Sequence, residues 1–212
     1  MRNVALVALM LINSALGPAA TATSQPATTR AASPHEPPVI HQIKAGTPGR
    51  DGWYAAESTS GKFVVATPAP FNDITVSHVE PDGSRVSTHM IAATGIGVSC
   101  IATASSNSSV KLPANAAELY LDMLATHGTA GNKHAAKLDG VDCTEVEVFF
   151  EGVITRHRVV QRDDVIYALK VEVRGREFGG GDNMVADKFF ESFRFPAPEA
   201  DNAPGRTASA TP

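Results

Sequence analysis

The sequence predicts an α+β domain, in which an antiparallel β-sheet of about six to eight strands carries two main helices packed on it. Short segments of β-branched and aromatic residues, bounded by Gly, Pro, Asp and Ser, recur through residues 62–173 and are typical of strands. Two other segments, near Asn115 and near Asn183, repeat apolar residues at helical spacing. Residues 143–173 show the strand pattern most clearly, because two tight turns divide them into three strands.

The chain begins with a targeting segment. A positive start at Arg2 precedes an apolar run, residues 4–12, and then small residues that end in an A-x-A site at Ala22. This order is typical of a secretory signal peptide, residues 1–22. The apolar run is shorter than the about 20 residues that a membrane-spanning helix needs, although an uncleaved anchor is the alternative. We therefore expect a soluble exported protein, periplasmic or secreted, with no stable membrane insertion after cleavage.

The remaining chain divides by composition. Residues 23–51 are rich in Ala, Thr and Pro and predict a disordered linker. Residues 52–196 hold the strand and helix patterns and predict one domain, and residues 197–212 lack an apolar period and predict a disordered tail. The formal net charge is −4 with both signs mixed, which argues against nucleic acid as a partner.

Charge pairs predict the register of the first hairpin in the central meander. If Glu151-Gly152 is a two-residue turn, Glu147 lies opposite Arg156 and Glu145 lies opposite Arg158. Opposite charges directly across a ladder stabilise it by roughly 0.2–1 kcal/mol each. A slip by one residue would lose both pairs, so the predicted register is specific.

A second turn at Asp163-Asp164 places Arg158 beside Leu169 and Val160 beside Tyr167. The apolar residues of the third strand then lie on the same face of the sheet as Arg156 and Arg158, and we expect a helix to cover that face. Arg158 would lie at the edge of the core with Glu145 as its partner. We interpret Glu145–Arg158 and Glu147–Arg156 as structural ion pairs, and an anion or substrate clamp is the alternative.

Both helices have recognisable ends. Asn115 is the predicted N-cap of the first helix, and Gly128 ends it. Asp182 is the predicted cap of the second helix, which runs over residues 183–192 after a glycine-rich connection. The apolar stripe of each helix predicts core packing rather than a cofactor site.

Cys100 and Cys143 lie in predicted strands. An even cysteine count in an exported protein favours a disulfide between them. The alternative is two separate buried thiols that pack as small apolar residues. Neither cysteine has a second cysteine at zinc-site spacing.

The motifs of common enzymes are missing from the sequence. No G-x-S-x-G elbow occurs, and the glycines at residues 179–181 lack the spacing of a phosphate-binding loop. His78 and His89 lie on strands that could be neighbours, but a two-histidine metal site there is the weaker interpretation. We therefore predict no catalytic residue, no cofactor and no metal site.

Three segments resemble a known family. They are GKFVVATP at residues 61–68, DVIYAL at residues 164–169 and FFESFRF at residues 189–195. Together they resemble exported bacterial domains similar to PsbP, the extrinsic subunit of photosystem II, over residues 53–195. The resemblance implies an α/β/α sandwich. Most bacterial members have no assigned activity, and those of photosynthetic lineages assist assembly of membrane complexes; no site residue carries over.

The sequence leads to a functional hypothesis with two alternatives. The first is a non-catalytic exported domain that binds a protein partner in the cell envelope. The second is a carrier of a small ligand or a metal, and the third is a hydrolase of unrecognised type. A pocket with converging polar groups would favour the second or third, whereas a filled core would favour the first.

Overall fold

The computed structural model describes residues 36–80, 82–95, 97–174 and 178–196. For His127 and Asn132 it describes the backbone only. The predicted signal peptide, residues 1–22, and the predicted tail, residues 197–212, lie outside the described residues and stay predictions. The same holds for residues 23–35 of the predicted linker.

The described residues form ten strands and two helices. In chain order these are β1 (Val39–Ala45), β2 (Tyr54–Glu57), β3 (Val64–Thr67), β4 (Phe71–Val79), β5 (Arg85–Thr94), β6 (Val98–Asn107), α1 (Ala116–His127), β7 (Thr129–Leu138), β8 (Val141–Phe150), β9 (Val153–Arg162), β10 (Val165–Arg174) and α2 (Gly180–Ser192). Eight strands form one sheet in the order β1-β4-β5-β6-β10-β9-β8-β7, and all neighbours are antiparallel. β2 and β3 form a separate hairpin. The predicted α+β class with an antiparallel sheet and two helices is confirmed.

The larger core lies on one side of the sheet, which we call the α2 side. Leu169 and Val171 of β10 are fully buried there and pack with Phe189 and Phe190 of α2. The β2–β3 hairpin completes the cover, and the ring of Phe63 just before β3 stacks on Phe193 with centroids 5.7 Å apart. A helix therefore covers the apolar side of β10, as its alternation predicts.

The smaller core lies on the opposite side, which we call the α1 side. α1 lies against β7, β8 and β9. Tyr120 and Leu121 of α1 pack there on Val146, Val159 and Ala168. Met90 of β5 and Ile101 of β6, further along the same side, belong to neither core cluster of the described residues. α1 therefore covers the end of the sheet near β7. Met90 and Ile101, nearer the β1 end, are buried by contacts outside the two core clusters.

The register of the meander is confirmed. Glu147 lies opposite Arg156, and Glu145 lies opposite Arg158. Arg158 in turn lies opposite Leu169 on β10. Both Glu151 and Gly152 have positive φ angles, 48° and 77°, as a two-residue turn of the I′ type requires.

Both helix starts differ in detail from the prediction. Asn115 occupies the predicted N-cap position but makes no side-chain cap bond; the amide of Ala116 instead donates to Gln161 Oε1 of β9 at 3.1 Å. The second helix begins earlier, at Gly180, and Asp182 lies inside its first turn. Its carboxylate still caps the helix, because Oδ2 accepts the amide of Gly179 at 2.9 Å.

The predicted linker contains a strand. Residues 39–45 form β1 and pair with β4, so the prediction of disorder is wrong for this part of residues 23–51. Register shifts interrupt the β1–β4 ladder between Ile40 and Gln42 and again between Gln42 and Ala45. These irregularities hide the two-residue alternation by which a strand is recognised in sequence.

Candidate functional site

Glu145 binds two arginines on the α2 side. Its Oε1 accepts Arg156 Nη2 at 2.6 Å, and its Oε2 accepts Arg158 Nε at 2.6 Å. Glu147 lies opposite Arg156 as predicted, but the guanidinium of Arg156 contacts Glu145 and, at 3.1 Å, Asp187 of α2. Burial alone would raise the pKa of Glu145, yet the bonds from Arg158 and Arg156 hold that pKa below its ordinary value.

Two further donors of this cluster, one on each arginine, also have partners. Arg156 Nη1 donates to Asn183 Oδ1 at 3.0 Å, and Arg158 Nη1 donates to the carbonyl of Lys137 at 3.1 Å. The Arg158 guanidinium lies 4.7 Å from the ring centroid of Phe190. The cluster thus ties α2 to β8 and β9, which supports a structural role over the clamp.

The predicted disulfide between Cys100 and Cys143 is wrong. Both cysteines are free, and they lie on β6 and β8 with β10 and β9 between them. Three strand spacings place them roughly 14 Å apart, whereas a disulfide needs Cα atoms within about 7 Å. Burial raises the pKa of Cys100 to about 12 and that of Cys143 to about 11, so both are thiols at neutral pH.

His78 and His89 do not form a joint site. They lie on the neighbouring strands β4 and β5, but His89 lies opposite Thr75, three residues from His78. Their imidazoles therefore point to opposite sides of the sheet. His78 Nε2 contacts Glu80 Oε1 at 2.8 Å. Within the described residues, no group of three or more His, Cys, Asp or Glu side chains could hold a metal ion.

A second polar cluster lies on the α2 side where β1, β4 and β5 meet. The hydroxyl of Thr75 lies 2.9 Å from His41 Nε2 and 3.0 Å from His89 Nδ1. Ser60 Oγ, in the β2–β3 connection, lies 3.3 Å from the same nitrogen of His41. Asp73 nearby is fully buried and accepts the amide of Thr59 at 2.8 Å. These hydrogen bonds connect the edge strand to the sheet and to the β2–β3 hairpin.

His157 is buried on the α1 side. It is 3% exposed, its Nε2 lies 2.9 Å from Thr155 Oγ1, and its Nδ1 has no hydrogen-bond partner. Burial and the charge of neighbouring Lys170 lower its pKa to about 3. Lys170 itself donates to Glu172 Oε2 at 3.1 Å. The imidazole is therefore neutral in the fold at any ordinary pH.

The open edge at β1 exposes apolar side chains. Val39 and Ile40 are each 54% exposed and Ile43 is 65% exposed. Ile40 lies opposite Ile74 of β4, whose side chain is half-buried, as is that of Val76. We call these five residues the β1 patch; Ile40, Ile74 and Val76 lie on the α1 side of the sheet, whereas Val39, opposite Thr75, lies on the α2 side. β1 pairs with β4 on one side only, so its outer backbone groups have no strand beside them in the described sheet.

The other edge of the same sheet is different. β7 carries Lys133, His134 and Lys137 along its length. Lys133 contacts Asp122 of α1 at 2.7 Å, and Lys137 contacts Asp142 of β8 at 2.6 Å. Charged side chains on an edge strand oppose the addition of a further strand. Of the two edges, β1 is the one suited to binding another chain.

A shallow groove separates α1 from the β7 edge. Its volume is about 360 Å³, and its walls include Glu118 and Asp122 of α1, Lys133 and His134 of β7, and Thr144 of β8. The Asp122–Lys133 ion pair uses two of these polar groups. The groove can hold a small polar molecule, but its charged groups already pair in part with one another.

The sequence does not predict the β1 patch, because three of its residues, Val39, Ile40 and Ile43, lie in the predicted linker. A usable signal was present: β-branched residues follow Pro37-Pro38 at three of the next five positions. Among the residues named in advance, Glu145, Arg156 and Arg158 come together, whereas Glu147 stays outside their contacts and the two cysteines are apart.

Comparison with protein-family models, with curated proteins and with solved structures gave no match. The resemblance to PsbP-like domains therefore stays an expectation from sequence. None of the helices in the described residues is long and apolar enough to cross a membrane.

Proposed function

We propose that this protein is a non-catalytic exported domain that binds a protein partner in the cell envelope, and that the partner adds an extended apolar segment to β1. Export is supported by the signal-peptide pattern of residues 1–22. One observation carries the binding proposal: Val39, Ile40 and Ile43 are 54–65% exposed on an open sheet edge.

Strand addition suits this edge for two reasons. The outer N–H and C=O groups of β1 supply backbone hydrogen bonds, and the β1 patch supplies apolar area, at about 25 cal/mol for each Å² buried. The irregular ladder limits a regular pairing to a short segment. Side-chain contacts with Ile40 and Ile43 must then provide much of the affinity and the specificity.

Site-specific photo-crosslinking in the host's envelope tests the proposal. A photoreactive residue at Ile43 should give a crosslink to one defined protein. The control is the same residue at Met184, which is 74% exposed on α2, far from the patch in the sequence. A crosslink to the same protein from both positions, or from neither, contradicts binding at β1. A crosslinked dimer of this chain alone identifies a second copy as the occupant instead.

Substitution gives an independent measure. Ile43→Lys should weaken binding of the crosslinked protein at least about tenfold. The reason is that a charge would replace an apolar contact with the partner that contributes roughly 1.4 kcal/mol or more to binding. Met184→Lys should leave the dissociation constant unchanged. Equal affinities for the two variants would contradict the proposal.

A small-ligand carrier is the second candidate function. The groove beside α1, with Lys133 and His134 on its wall, favours it. Native mass spectrometry of protein purified from the host's envelope separates the two functions. Extra mass of small-molecule size that disappears on denaturation would favour the carrier, whereas the processed chain alone or with the mass of a second protein would favour the partner-binding domain.

A further inference from the structure

One hydroxyl group joins two histidines on the α2 side of the sheet, next to β1. Thr75 lies on β4, the strand between β1 and β5, and its Oγ1 is within 3.0 Å of both His41 Nε2 and His89 Nδ1. His41 also reaches Ser60 Oγ at 3.3 Å. β1 is thus held by side chains in addition to its irregular ladder with β4.

The hydrogen bonds of Thr75 with His41 and His89 are compatible with one added proton but not with two. The Thr75 hydroxyl has one hydrogen to donate, so it can donate to one ring nitrogen while it accepts N–H from the other. One proton on either ring is compatible with that pattern, because the facing nitrogen of the other ring still accepts. A second proton makes both ring nitrogens donors and leaves the hydroxyl hydrogen without an acceptor there. It also brings two positively charged rings together at one oxygen.

The surroundings disfavour the charged form of His89. Burial lowers the pKa of His89; Asp73 of β4 opposes this shift, and His41 of β1 adds to it. β6 places the apolar Ala104 opposite His89, and the β2–β3 connection contributes the neutral Ser60. The charged form of His89 is therefore disfavoured, the more so beside a charged His41, and His89 protonates at a pH below its ordinary 6.5.

We propose that His41, Thr75 and His89 form an acid-sensitive latch that holds β1 on the sheet and makes the docking edge available only while His89 is neutral. The latch regulates partner binding, and in that respect it rests on the proposed function. The pKa of His89 is lower in the fold than in the unfolded chain, so the latch is complete above pH 6.5 and is lost as the pH falls. Acidification should release β1 while the rest of the sheet stays folded.

Hydrogen–deuterium exchange of the isolated protein tests the latch without any partner. Between pH 7.5 and pH 5, exchange of residues 39–45, corrected for its intrinsic pH dependence, should rise roughly threefold to tenfold relative to residues 98–107 of β6. His89→Gln keeps an acceptor for Thr75 but cannot take the proton, so it should abolish this rise. Thr75→Val should give fast exchange of β1 already at pH 7.5.

His134→Gln is the matched control, because this histidine is exposed on the opposite edge strand and should leave the acid response unchanged. An unchanged ratio of β1 to β6 exchange, or an equal acid response in His89→Gln, would overturn the latch. Crosslinking at pH 7.5 remains a separate test, so a working latch without a partner would count against the proposed function alone.

Discussion

Glu145 shows how one carboxylate can fix the position of a helix. Its two oxygens hold Arg156 and Arg158, and Arg156 extends the contact to Asp187 and Asn183 of α2. The side chains of Glu145 and both arginines are only 14–15% exposed. Loss of the carboxylate would leave two poorly solvated cations beside each other, which costs more than loss of an exposed pair.

We therefore expect Glu145→Ala to lower the free energy of unfolding by about 3 kcal/mol, as for other largely buried pairs. Glu147→Ala is the control, because this exposed neighbour on the same strand should change stability by no more than about 0.5 kcal/mol. Urea denaturation of the two variants provides the measurement. Equal losses would mean that the cluster is stabilised by packing on Phe190 rather than by charge.

At the same scale, the cross-strand charges predict both positions but only one of the two contacts, the one between Glu145 and Arg158. Glu147 lies opposite Arg156 as expected, yet Arg156 turns to Glu145 and α2. A long side chain can reach diagonal neighbours on its own face of the sheet. The sequence cannot choose between these neighbours, because the choice depends on where α2 lies.

Among the elements, the β8–β9 hairpin has the clearest local determinant. Gly152 has a φ of 77°, and nothing lies within 4 Å of where a Cβ would be. Any cost of a side chain there is thus a cost of the backbone conformation. Gly181 in the first turn of α2 also has open space, but its helical backbone suits alanine.

Gly152→Ala should lower the free energy of unfolding by about 1–2 kcal/mol. Gly181→Ala should raise it by up to about 1 kcal/mol, because alanine is the better helix former. Thermal denaturation of the two variants compares the signs directly. A loss in both would show that Gly181 is needed for a reason other than its backbone.

β1 is the element for which the local sequence pattern is weakest. Residues 39–45 follow a Pro-rich stretch, and their ladder with β4 shifts register twice. Pairing with Phe71–Val79 stabilises β1 from a distance of some thirty residues along the chain, as in Ile40 opposite Ile74. Such long-range pairing overrides the local preference for an irregular linker.

The whole molecule should be sensitive to acid through its buried imidazole. His157 has a pKa of about 3 in the fold, against an ordinary value of 6.5, because burial and Lys170 disfavour its charged form. The unfolded chain binds this proton more tightly, so stability is complete above pH 6.5 and is lost as the pH falls toward 3. The loss is about 1.4 kcal/mol for each pH unit.

Between pH 7.5 and pH 5, the wild type should therefore lose about 2 kcal/mol more unfolding free energy than His157→Gln, which has no imidazole to protonate. Urea denaturation at the two pH values gives both differences. The comparison is made above pH 5, where Glu145 and Glu172 remain ionised because their arginine and lysine partners lower their pKa values. Identical pH dependence of the two proteins would show that His157 is not the group responsible.

The sequence alone determined the fold class, the three-stranded meander with its register, and the approximate positions of both helices. Each of these depends on local periodicity, turn residues or neighbouring charges, as at Glu151-Gly152. Only the tertiary structure decided that Cys100 and Cys143 are separate, that His41 meets His89 through Thr75, and that β1 forms an edge. Those facts depend on strand order, since strands adjacent in the sheet can be distant in the chain.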